Sequence, residues 1–178
     1  MSRTNPYKKK RRSAIKTRLI YGEGKEDCVF LTYLKGLYSK NSSIACKVVQ
    51  GRGGSADGIV IQAHRIQGAY DKKVVVLDND KVKTEMSKAR QDAAKKHIEL
   101  IEHTPCIEAV FLLTLGCKTS VKQKTSAWCK KEFESKHIDG KKRSEVIKYQ
   151  EIFPKKLLDQ KRSKINELNR LICLFENI

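Results

Sequence analysis

Short apolar runs alternate with amphipathic stretches of helical period along the first two thirds of this chain. Arg18-Leu19-Ile20-Tyr21 reads as a strand. Cys28 to Tyr38 reads as a helix, with apolar positions at 30, 31, 34, 37 and 38. Ile44–Val49 is a second strand, and Ile59-Val60, Ala63, Ile66 and Tyr70 continue as an amphipathic helix. Val74-Val75-Val76-Leu77 is apolar without a break and rich in β-branched residues, the pattern of a strand buried on both faces of a parallel sheet. An Ala/Lys/Glu-rich helix to about His97 follows. A fourth strand at 98–101 and an almost wholly apolar helix at 107–115 complete the series. Strand–helix alternation from 18 to 115 predicts an α/β fold: a Rossmann-like, four-stranded parallel sheet with right-handed crossovers and helices on both faces.

From residue 118 the pattern changes. Lys118, Lys122, Lys124, Lys130, Lys131, Lys136, Lys141, Lys142 and Arg143 crowd a polar segment in which Trp128 and Phe133 are interleaved. Such aromatics either stack on bases or form the apolar stripe of a packed helix. The stretch from Leu157 to Phe175 reads as one amphipathic helix closing the fold. The expected organisation is a basic arm at 1–17, a core at 18–116, and a basic helical extension at 117–178 packed on that core.

Charge sharpens the picture. Lys and Arg number 38 against 20 Asp and Glu, leaving +18, and that excess calls for a polyanionic partner, nucleic acid first. The arm supplies Lys8, Lys9, Lys10, Arg11 and Arg12, and the extension supplies Lys122, Lys124, Lys130 and Lys131. No apolar run approaches the roughly 20 residues of a membrane span. No apolar signal core follows the basic N-terminus, so a cytoplasmic location is expected. The cysteines at 28, 46, 106, 117, 129 and 173 form no metal-binding spacing and read mostly as small core residues in a reducing compartment.

Against that basic background, three acidic groups fall at strand ends or at the helix starts beside them. Asp78 and Asp80 stand i, i+2 at the end of the Val74 run, where alternation turns both side chains the same way. Open α/β sheets bind ligands at that end of their strands. Glu23 and Asp27 flank the turn after the first strand, and Glu108 opens the apolar helix. A metal ligand role explains Glu108, and so does solvent exposure of that first turn. Clustered carboxylates repel unless a cation sits between them, and oxygen-only donors favour Mg²⁺ or Mn²⁺. The Gly-rich loop at 51–58, with Arg52, either approaches a phosphate or simply joins strand to helix.

Glu23-Gly24-x-x-Asp27 followed by Leu77-Asp78-Asn79-Asp80 resembles the TOPRIM domain. The Gly-rich loop and Thr104-Pro105-Cys106-Ile107-Glu108 resemble its RloB-like branch, which is related to the OLD-family nucleases. The resemblance covers 18–116; Ile107 stands where the branch usually has an aromatic residue, and Asp27 replaces a Glu. It implies a TOPRIM-like fold and a Mg²⁺- or Mn²⁺-dependent endonuclease that cleaves DNA or RNA, tRNA among the candidates, in prokaryotic antiviral defence. Glu23, Asp78 and Asp80 would hold one ion, with Asp27 and Glu108 completing a second site. Lys25 or Arg52 would neutralise the transferring phosphate. An ATPase partner protein and a homodimer are further expectations. The other reading is a non-catalytic nucleic-acid-binding module that acts with a partner ATPase.

Overall fold

The computed structural model describes residues 16–40 and 42–176. Four strands, β1 (Lys16–Gly22), β2 (Ile44–Gln50), β3 (Lys72–Asp78) and β4 (Ile98–His103), form one sheet. Their order is β2-β1-β3-β4 and every neighbouring pair is parallel. The connections are α1 (Lys25–Tyr38), α2 (Ala56–Arg65) and α3 (Lys83–Lys95), and α4 (Ile107–Thr114) follows the last strand. The rest is helical: α5 (Ser126–His137), α6 (Val146–Ile152), α7 (Lys155–Arg162) and α8 (Asn166–Cys173). This is the expected Rossmann-like α/β architecture.

The continuous apolar run of β3 is explained by burial on both sides. Val74 and Val76 pack into a core formed with α1, α4 and the C-terminal helices. Val75 and Leu77 pack with Ala56, Ile59, Val60, Met86, Ala89 and Ala93 of α2 and α3 on the other face. Even-numbered positions of β3 thus face α1 and α4, and Asp78 continues that series. On β4, Ile101 joins the same core, and His103 stands two residues on, in register with Asp78.

The extension is part of this core. Phe30 of α1 meets Phe111 of α4 edge-on at 4.7 Å between ring centroids. Phe111 lies 5.1 Å from both Phe133 of α5 and Phe153, the residue that follows α6. Phe133 is therefore a core residue, while Trp128 is exposed with the Lys124 ammonium 5.6 Å from its ring centre.

Several boundaries differ from expectation. β1 begins at Lys16, inside the span assigned to the arm, and Lys8, Lys9, Lys10, Arg11 and Arg12 lie outside the described residues. α1 starts at Lys25, so Asp27 belongs to its first turn. The single terminal helix is two, broken at Ser163–Ile165, and both pack against α4. Ile165 and Leu168 then bury beside Leu158 instead of extending past the core edge. Among the described residues no helix is long and apolar enough to cross a membrane.

Candidate functional site

The carboxyl ends of β1 and β3 open onto a cavity of about 460 Å³. Gly22 makes room for it: a Cβ there would lie 2.9 Å from Cys28 Sγ and 3.0 Å from Asp27 Cβ. With no side chain at Gly22, the first turn of α1 settles against the strand end and brings Asp27 into the cavity wall. Gly51 does the same for β2, since a Cβ would meet the carbonyls of Gly22 and Glu23 at 2.6 Å. The Gly51 and Gly53 amides donate to those two carbonyls at 2.8 and 3.2 Å. Two amides of the glycine loop are thus used to fix the turn that carries Glu23.

Glu23, Glu26, Asp27, Asp78 and Glu108 all line this cavity. Glu23 Oε2 accepts the Asp78 backbone N–H at 3.1 Å, and its Oε1 pairs with Lys81 Nζ at 3.1 Å. Asp27 Oδ2 reaches back to accept the Gly24 N–H at 2.8 Å, an N-terminal cap for α1. Asp78 Oδ1 accepts the Ile107 N–H at 3.0 Å and caps α4 from a different strand. Glu108 is only 3% exposed, which excludes the solvent-exposed reading of its turn. Asp27 Oδ1 and Glu108 Oε2 are buried without a hydrogen-bond partner among the described residues.

Burial raises the Asp27 carboxyl above its usual range; the Gly24 N–H opposes this, and Glu108, Glu23 and Glu26 add to it. Burial also raises Asp78, with further upward pressure from Asp27 and Glu108, and Lys130 is the cation that opposes it. Lys130 Nζ stands 3.9 Å from Asp78 Oδ2. Burial would lower its ammonium, but Glu108 and Asp78 outweigh that and raise it. Arg143 bridges Glu26 at 3.0 Å and Glu134 at 2.6 Å.

The cavity therefore gathers Glu23, Asp27, Asp78 and Glu108 with Lys25 and Arg52, as anticipated, but not Asp80. β3 ends at Asp78, so the alternation that would align Asp80 with it does not continue; Asp80 is exposed, 3.9 Å from Lys81. Lys130 moves from the nucleic-acid surface to the cavity, and Lys122 is occupied by an ion pair with Glu167 of α8. Lys124 and Lys131 remain exposed. Sequence reasoning missed Lys81, Arg143 and two buried neighbours, Cys106 and His103. An oxygen from each of Asp78 and Glu108 lies within 4.8 Å of Cys106 Sγ. Burial pushes the Cys106 thiol up, and the carboxylates push it further. Burial holds the His103 imidazole below its ordinary range, at about 4, and so neutral at pH 7.

Fold and site together define a Rossmann-like α/β protein with a carboxylate-lined cavity at the carboxyl edge of a parallel sheet. Comparison with known protein families, curated protein sequences and solved structures returns no match.

Proposed function

We propose that this chain is a divalent-cation-dependent phosphodiesterase that cleaves nucleic acid, with Mg²⁺ or Mn²⁺ held by Glu23, Asp27, Asp78 and Glu108. One observation carries the reading: Asp27 Oδ1 and Glu108 Oε2 are buried, without a partner among the described residues, in a cavity they share with Glu23, Glu26 and Asp78. Four carboxylates from three separate segments, in a chain of +18, make a donor set that suits a hard cation. When bound, such an ion polarises a phosphoryl oxygen and lowers the pKa of bound water.

The chain's own residues divide the remaining work. Lys25 and Arg52, both exposed at the cavity, receive the phosphate of an incoming strand. Lys130 balances Asp78, and Arg143 pairs with Glu26 and Glu134 at the cavity wall. Exposed Lys124 and Lys131, together with the basic N-terminal arm, supply sequence-independent attraction to the polyanion. The setting that accords with this reading is cytoplasmic antiviral defence, alongside an ATPase partner protein and as a homodimer.

The test incubates the purified protein with labelled single- and double-stranded DNA and total tRNA, with Mg²⁺ or Mn²⁺, and repeats each reaction with any ATPase encoded beside it. Cleavage that requires the metal and disappears in Glu23→Ala and Asp78→Ala is expected. Cleavage that persists in both variants belongs to a contaminant. Binding without cleavage in every arm overturns the enzyme reading in favour of a non-catalytic binding module.

A further inference from the structure

His103 ends β4 as the register partner of Asp78. Its side chain has no solvent exposure, and neither Nδ1 nor Nε2 has a hydrogen-bond partner among the described residues. Buried polar groups in folded proteins are nearly always partnered, and a core histidine ordinarily bonds through at least one nitrogen. One His103 nitrogen and one carboxylate oxygen from each of Asp27 and Asp78 lie within 4.8 Å of one another. Asp27 Oδ1, on the same side of the sheet, is likewise buried and without a partner. Donors from β4, α1 and β3 thus converge on one point, and two of the three side chains have donor atoms with nothing to bond.

We infer that His103 is a nitrogen ligand, and that with Asp27 and Asp78 it forms an inner mixed oxygen–nitrogen site that prefers a first-row transition ion such as Mn²⁺ to Mg²⁺. The inference rests on the reading of the acidic cavity as a metal site and specifies which metal that site selects. Mg²⁺ takes oxygen donors and keeps much of its water, whereas imidazole nitrogen is a good ligand for the transition series. Asp27 and Asp78 also line the open cavity, so an ion reaches the inner donors through the residues that hold it.

The experiment is pulsed electron paramagnetic resonance on the intact protein loaded with Mn²⁺, read beside a titration of the free-ion signal. Bound Mn²⁺ is expected to show ¹⁴N modulation that changes to the ¹⁵N pattern in protein labelled with ¹⁵N-histidine, a comparison that needs no mutation. His103→Gln, which keeps His64, His97 and His137, is expected to lose that modulation. The same variant is expected to lower the affinity ratio of Mn²⁺ to Mg²⁺ by about ten-fold or more. Mn²⁺ that binds without nitrogen modulation, or with modulation that survives in His103→Gln, overturns the inference and leaves the metal reading standing. No bound Mn²⁺ at all overturns both.

Discussion

Glu23 Oε2 accepts the backbone N–H of Asp78 at 3.1 Å, so the acid of the first turn is held by the strand that carries the second acid. The contact uses the Asp78 main chain, while its side chain caps α4 through the Ile107 N–H. Substituting the Asp78 side chain therefore keeps the hydrogen bond that holds Glu23.

Asp78→Asn keeps an acceptor for the Ile107 N–H while removing a carboxyl whose ionisation in the folded chain is opposed by burial and by three neighbouring carboxylates. The metal-free variant is expected to melt higher than the parent, by roughly 2–4 °C for each kcal/mol gained in a chain of this size. Stabilisation by Mg²⁺ or Mn²⁺ is expected to vanish in the same variant. Differential scanning calorimetry with and without metal checks both, and a lower melting temperature refutes the account of stored repulsion.

Lys130→Gln removes the cation closest to Asp78 without emptying the space it fills. If the cavity cuts phosphodiesters, single-turnover cleavage is expected to fall by roughly 10²-fold. Binding of the same substrate should change little, because the exposed Lys124 and Lys131 and the N-terminal arm are untouched. An equal loss of binding and cleavage would return Lys130 to the general basic surface.

The acids also set a pH dependence. In the folded chain Asp27 is raised to about 7 and Asp78 to about 9. Unfolded, both titrate near about 4. The folded form therefore holds protons that the unfolded form releases across that interval. The stability this difference contributes is complete below the unfolded value and is lost as pH rises through the folded ones. The melting temperature of metal-free protein is expected to fall between pH 5.5 and 8.5, and to fall less in Asp78→Asn. A melting temperature that rises over that range contradicts the assignment.

Nucleic-acid affinity is expected to drop steeply with salt. Deleting residues 1–15 leaves β1 whole and removes Arg3, Lys8, Lys9, Lys10, Arg11 and Arg12. The slope of log affinity against log salt should flatten by about 0.9 for each of these cations that neutralises a phosphate on duplex DNA. Fluorescence anisotropy across a salt series measures it, and an unchanged slope would clear the arm of any role in binding.

Phe133→Ala is expected to cost about 3–5 kcal/mol, because the ring is fully enclosed against Phe111 and Phe153. Chemical denaturation provides the value. A loss below about 1 kcal/mol would mean that α5 is not anchored through this ring.

The sheet was legible because burial on both faces leaves its mark residue by residue: Val74 to Leu77 had to be apolar at every position. Asp78 was legible for the same reason, as the first polar residue after that run. Asp80 was misplaced because alternation holds only while a strand lasts, and this one stops two residues earlier. Glu108 left two readings open, since an acid in the first turn of an apolar helix looks alike in sequence whether wet or buried. Lys130 and Arg143 were lost among the other cations of the extension; the aromatic packing of Phe133 and Tyr149 with Phe111 seats that segment against α4. His103 carried no signal, because a lone histidine at a strand end acquires meaning only from its register partner.

The shared aromatic core has a consequence for the order in which the protein is made. Asp78 leaves the ribosome before Lys130, and Glu26 before Arg143, so these two acids lack their partner cations until those side chains arrive. Phe133 and Phe153, which seat the extension against α4, are synthesised at about the same stage or later. A nascent chain halted before residue 130 therefore carries Asp78 and Glu26 without their cations, and the finished cavity draws on side chains made as far apart as Glu23 and Arg143.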